Sequence, residues 1–164
     1  MKRVALGALG LAITASAWAN TPIPAAIRPA AGEQLEMTLS ATGVQIYECR
    51  SGAWTFVAPD ADLFDAKGRR VGHHGAGPYW QADDGSRVVG TVAARVEAPL
   101  AGTIPWLLLT TRSTGPQGAF GKVTSIQRVD TTGGAPPATT CAHDAAGAQA
   151  RVNYTAIYRL FSSK

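Results

Sequence analysis

No apolar run in the sequence reaches the roughly twenty residues that a membrane-spanning helix needs. The longest at the start, from Val4 to Ala15, is about a dozen residues. No segment keeps apolar residues at helical spacing long enough to predict a sustained helix. There is no strand followed by a G-x-G-x-x-G that opens a helix, so the usual dinucleotide cradle is excluded. The surroundings of Ser86, Asp84-Gly85-Ser86-Arg87-Val88, are not the G-x-S-x-G nucleophile elbow. Basic residues form no block: Arg28, Arg50, Arg69, Arg70, Arg87, Arg95, Arg112, Arg128, Arg151 and Arg159 are scattered, and the formal net charge is only +4. A surface that follows a phosphate backbone needs clustered cations, so nucleic acid is excluded as a partner. Two cysteines, Cys49 and Cys141, are too few for a thiolate cluster.

The sequence begins with a short basic region containing Lys2 and Arg3. An apolar stretch follows, then the small-residue triplet Ala17-Trp18-Ala19. This is the three-part layout of a secretory signal, and cleavage is expected before Asn20. The expected address is therefore the periplasm or the exterior. No cysteine follows the cleavage site, so a lipid anchor there is not expected. In an oxidising compartment an even cysteine count predicts a pair, Cys49 with Cys141, which removes both thiols from nucleophilic or metal chemistry.

The stretch from Asn20 to residue 34 holds Pro22, Pro24 and Pro29 among small residues and reads as an extended lead-in. A single domain is expected from residue 35 to 164. Leu35, Met37 and Leu39 alternate with polar neighbours, and Val44, Ile46 and Glu48 alternate with Gln45, Tyr47 and Cys49. This predicts two strands separated at Ala41-Thr42-Gly43. Trp54 to Val57 is stopped by Pro59 and followed by Ala61 to Phe64. Asp65-Ala66-Lys67-Gly68 and Asp83-Asp84-Gly85-Ser86 supply turn residues for two successive strand-turn-strand units. Ile104 to Thr111 reads as a strand buried on both faces, Val123 to Val129 alternates, and a last strand runs from Arg151 to Phe161. With 18 glycines and 10 prolines punctuating short alternating runs, the predicted fold is all-β: an antiparallel sandwich or partly closed barrel built from hairpins. At most a short helix is expected, near Ala93 or within Ala142 to Ala148.

Six motifs occur in order: Gly43-Val44-Gln45-Ile46-Tyr47-Glu48-Cys49, Gly77-Pro78-Tyr79-Trp80-Gln81, Asp84-Gly85-Ser86, Ile104-Pro105-Trp106-Leu107-Leu108-Leu109, Ile126-Gln127-Arg128-Val129 and Gly133-Gly134-Ala135-Pro136. Together they resemble the DUF3455 family of exported bacterial proteins and fungal proteins, and the likeness covers nearly all of the chain after the signal. The resemblance implies no established activity. Some fungal members carry the label malate dehydrogenase, which this sequence does not support. The family pattern has a His and then a Phe before Ala-Gly-Pro; here His74 matches, and Gly75 stands in place of the aromatic residue.

Four residues are candidates for ligand binding: His74, Trp80, Asp84 and Arg128. His73, His74, His143 and Asp83 are weak candidates for a divalent metal, because imidazole and carboxylate together can ligate an ion or move protons. Against this, adjacent histidines on a strand point to opposite faces, and Asp-Asp-Gly-Ser is ordinary turn chemistry. Trp54, Tyr79, Trp80 and Trp106 offer a stacking surface, with Trp106 the one expected in the core. Arg128 shares a strand face with Ile126, so it must either pair with a carboxylate or line a cleft that admits an anion. The sequence reading favours a small-ligand or envelope-associated binding domain, with no cofactor and no spanning segment. A metal-assisted hydrolase or lyase and a purely structural domain are the alternatives.

Overall fold

The computed structural model describes residues 22 to 142 and 145 to 164. The signal-like start and His143 lie outside the described residues. Eight antiparallel strands form one sheet: β1 (Glu33–Arg50), β2 (Ala53–Phe64), β3 (Arg70–Gly75), β4 (Tyr79–Ala82), β5 (Arg87–Val96), β6 (Trp106–Ser113), β7 (Ser125–Gly133) and β8 (Gln149–Ser163). Each strand pairs with the next, and β8 returns to pair with β1 from Glu33↔Ser163 to Glu48↔Gln149, which closes the sheet into a barrel. The all-β, hairpin-built class expected from the sequence is the one found. Its one named helical element is a single 3-10 turn, Ala25–Ile27.

Two expected chain breaks are continuous strand instead. Gly43 lies within β1, paired to both neighbours, opposite Ala61 on β2 and Tyr154 on β8. A Cβ at Gly43 would collide with the Asp60 carbonyl and with Ala61, so this glycine marks a close approach of two strands rather than a turn. Pro59 lies within β2, in a stretch paired on one side only, where a proline is tolerated. β3 begins to pair with β2 only at Ala61, leaving Ala53 to Asp60 with β1 as its one neighbour. β4 likewise covers β5 only up to Val89. The wall is therefore low at the β3–β4 hairpin and leaves an opening flanked by the first half of β2 and the second half of β5.

Inward residues fill one end of the barrel with a core that includes Leu39, Leu63, Val88, Phe120, Ile126 and Leu160. This is the end of the β2–β3, β4–β5 and β6–β7 connections. In the later half of β1 the inward residues are Gln45, Tyr47 and Cys49, all at most 5% exposed, while Val44 and Ile46 face outward and are half-buried. The lead-in lies outside the wall as a strap. Ile27 is fully buried with Trp106 and Val129, and Gln127 Nε2 donates to the Ile27 carbonyl at 2.6 Å. This cover accounts for the burial of both faces in the first half of β6, where Leu107 and Leu109 point inward and Trp106 and Leu108 lie under the strap. The second half, with Thr110, Arg112 and Ser113 exposed, is not buried on both faces as expected. Cys49 and Cys141 form the expected disulfide, at the same end of the barrel as the opening.

Candidate functional site

The end of the barrel not filled by the core holds a cavity of about 740 Å³. Its walls carry Gln45 and Tyr47 from β1, Trp54 and Phe56 from β2, His74 from β3, Trp80 from β4, Val92 from β5, Leu107 and Leu109 from β6, Arg128 from β7 and Tyr158 from β8. Pro78, Pro105 and Pro136 from the adjoining loops also line it. The register brings these residues together: His74 is the cross-strand partner of Trp80, and Arg128 is the partner of both Leu107 and Tyr158. Gly90 makes room for the indole of Trp80, because a Cβ there would sit 2.8 Å from the ring.

His74 and Trp80 stack with ring centroids 4.2 Å apart, and Tyr158 meets each of them edge to face. His74 Nδ1 lies 2.7 Å from the Tyr79 carbonyl oxygen. A carbonyl only accepts, so Nδ1 carries the hydrogen and Nε2 is left as an acceptor. Burial, with the nearby Arg128 charge adding to it, pulls the pKa of His74 down to about 3, so the ring is neutral at any ordinary pH. Burial also pushes the phenols of Tyr47, Tyr154 and Tyr158 up, and the Arg128 charge pulls each back. One guanidinium thus acts on four groups of the interior.

Several polar atoms here have no protein partner. Gln45 Nε2, Trp54 Nε1, Trp80 Nε1 and the Tyr158 hydroxyl are buried without a hydrogen bond among the described residues. Buried polar groups in folded proteins are overwhelmingly paired, so such a cluster calls for a cause. Tyr47, by contrast, donates to the Gly134 carbonyl at 2.6 Å.

Of the four ligand candidates, the structure brings together His74, Trp80 and Arg128. Asp84 stands apart in the β4–β5 turn at the other end of β4. Its Oδ1 accepts from the Ser86 hydroxyl and backbone N–H, and its Oδ2 accepts from the Ala119 N–H. Ser86 is fully buried, and its hydroxyl also accepts from Phe120 N–H, so both side chains pin the Ala119–Phe120 loop. Arg128 donates from Nε and Nη2 to the Pro105 carbonyl, and among the described residues no carboxylate lies within salt-bridge distance of it. Of the sequence's two readings of Arg128, the geometry matches the cleft.

The metal candidates are not assembled. His73 faces outward near Asp60 and Asp62, at 3.4 and 3.6 Å, on the opposite side of the wall from His74. Asp83 is paired with Arg70 at 2.7 Å. Among the described residues no group of three His, Cys, Asp or Glu side chains is arranged to hold a metal ion. Of the stacking candidates, Trp54 and Trp80 line the cavity, whereas Tyr79 lies under the Arg87 guanidinium at 4.0 Å and Trp106 is beneath the strap. Sequence reasoning missed Gln45, Tyr47, Leu107 and Tyr158. Their signal was present: Gln45 and Tyr47 alternate in phase with Cys49, whose disulfide fixes that face as inward.

Fold and site together define a closed antiparallel barrel with a one-ended, aromatic-lined cavity. The chain belongs to the DUF3455 family, described as a protein of unknown function, whose family model matches residues 29 to 162. Comparison with curated proteins and with solved structures finds no match.

Proposed function

We propose that this chain is a small-ligand-binding barrel that works outside the cytoplasm. The observation that carries the reading is the cavity itself, whose buried polar atoms lack protein partners. A volume of about 740 Å³ falls within the several-hundred to thousand Å³ range of small-molecule sites, and mostly apolar walls with a few placed polar groups are their usual composition. His74, Trp80 and Arg128 are the proposed binding residues, with His74 Nε2 as an acceptor beside the donors of Trp80 and Arg128. A ring that stays unprotonated down to a pH of about 3 suits a fixed acceptor better than a proton carrier, which works best with a pKa near the operating pH. This supports binding over acid-base catalysis. The disulfide and the signal-like start support an oxidising compartment.

The test is titration of the purified protein with N-phenyl-1-naphthylamine, a neutral apolar dye whose emission rises out of water. One saturable site is expected. Leu107→Trp, which fills the cavity from β6, should abolish the signal while the unfolding transition stays cooperative. Absence of saturable binding to the unmodified protein, or equal binding to a folded Leu107→Trp variant, would refute the reading.

A further inference from the structure

We infer that the ligand is a monoanion, a carboxylate joined to an apolar body, held by Arg128. This rests on the binding reading above and names its chemistry.

Arg128 is a partly buried cation in the cavity wall, and among the described residues no anion is paired with it. Of the cavity's lining residues only Glu97 carries a carboxylate. That side chain is 82% exposed at the rim and sits 3.4 Å from Arg95. His74 is neutral and hydrogen-bonded to Tyr79, so it neither competes with Arg128 for an anion nor supplies one. A cation partly withdrawn from water without a counter-charge loses some of its solvation, and an incoming anion offsets that loss.

The guanidinium is also oriented for the task. Pro105 O takes the Nε and Nη2 hydrogens on one edge, which fixes the plane of the group. The edge formed by Nη1 and the second Nη2 hydrogen makes no close hydrogen bond to the described residues, and the Tyr158 hydroxyl is near enough to feel this charge. That edge is the fork that meets a planar carboxylate through two parallel hydrogen bonds. The Tyr158 hydroxyl, on the cross-strand partner of Arg128, is unpaired, as are the indole donors of Trp54 and Trp80. Indole N–H groups can only donate, so the unsatisfied atoms call mainly for acceptors, and an anion supplies them.

The remaining wall is apolar and leads outward. Leu107 and Leu109 lie on β6, and Phe56, Val57 and Val92 stand at the opening with 51%, 40% and 52% of their surface exposed. These three are among only five large hydrophobic side chains exposed on the described residues, the others being Leu35 and Leu100. Exposed apolar side chains gathered at one mouth mark a place where apolar matter enters. A molecule with its carboxylate on Arg128 and its hydrocarbon part running toward Phe56 and Val92 satisfies both ends.

The experiment compares decanoate with decan-1-ol, equal in chain length and different in charge, in displacing N-phenyl-1-naphthylamine at pH 7.5. The unmodified protein is expected to bind decanoate at least ten-fold more tightly. Arg128→Gln should reduce that preference to within about two-fold while still binding the dye. Equal affinity for acid and alcohol in the unmodified protein, which needs no variant to fold, would overturn the inference. So would a preference that survives in folded Arg128→Gln, or displacement by neither compound when the dye itself binds. Failure of the dye to bind at all would instead overturn the cavity reading on which this rests.

Discussion

The buried imidazole of His74 sets a pH dependence of stability that can be worked out. In the unfolded chain a histidine titrates near pH 6.5; in the barrel burial holds His74 at about 3. Between those values the unfolded state binds a proton that the folded state refuses. Stability therefore falls as pH drops below about 6.5 and stops falling, for this group, near 3. Each pH unit well inside the window is worth about 1.4 kcal/mol. From pH 7.5 to 5 the integrated loss is about 2 kcal/mol, or a fall of several degrees in Tm for a domain of this size. The carboxylates of Asp62, Asp65 and Asp84 are held below their usual range by hydrogen bonds, from Arg70, Arg69 and Ser86 first respectively. They act in the same direction, but only at lower pH, and comparison with a His74 variant separates this ring from the chain's other two histidines. Urea unfolding followed by circular dichroism at both pH values measures the loss. His74→Asn keeps a donor toward Tyr79 but cannot titrate, and it should flatten the dependence whatever its own stability. The reasoning fails if His74→Asn loses as much as the unmodified protein between pH 7.5 and 5. It fails equally if the His74 ring titrates near 6.5 by NMR.

The Cys49–Cys141 bond closes a loop with a sequence separation of 92. Its removal in the Cys49→Ser, Cys141→Ser double variant should cost roughly 4 to 5 kcal/mol on chain-entropy grounds, read as a lower urea midpoint; an unchanged midpoint would contradict this. Ile27→Ala should cost about 2 to 5 kcal/mol, because that side chain is fully buried against Trp106 and Val129. Proteolysis at the strap should accelerate in parallel, and an exposed-site value below 0.5 kcal/mol would mean that the strap does not hold. Asp84→Ala should lower the urea midpoint, since it leaves the Ser86 and Ala119 donors short of an acceptor. Dye binding should be unaltered, and a lost dye signal in a folded variant would place Asp84 in the site after all. Mass measurement of the chain recovered from a bacterial periplasm should match a start at Asn20; an uncleaved mass would rule out the expected processing.

Much of this fold was legible because period-two patterning is a local property of strands. The β3–β4 and β4–β5 turns fall where Gly77-Pro78 and Asp83-Asp84-Gly85-Ser86 lie, and the opposite facing of His73 and His74 follows from the pleat alone. What misled was composition read without topology. Gly43 and Pro59 looked like breaks because nothing in the sequence reveals that one strand passes unusually close at the first, or that a neighbour is missing at the second. The alternation of Val44 and Ile46 with Gln45 and Tyr47 left the inward face unassigned; the half-polar face of Gln45 and Tyr47 is inward, because part of the interior is a cavity rather than a packed core. The fate of Arg128 needed knowledge of every strand facing it. Local spacing cannot supply that, since the wall opposite β7 is built from residues 50 to 90 positions away.

The pairing of β1 with β8 has a consequence for how the molecule is made. The two strands that seal the barrel are the first and the last, so no partial chain emerging in order can complete the sheet. Until Gln149 to Ser163 arrive, β1 and β7 each present an unpaired edge, the kind of surface that recruits another chain. Pairings of such wide separation form slowly. A chain delivered unfolded to its compartment would thus pass through an interval in which its late-forming seam, rather than its finished surface, decides whether it stays a monomer.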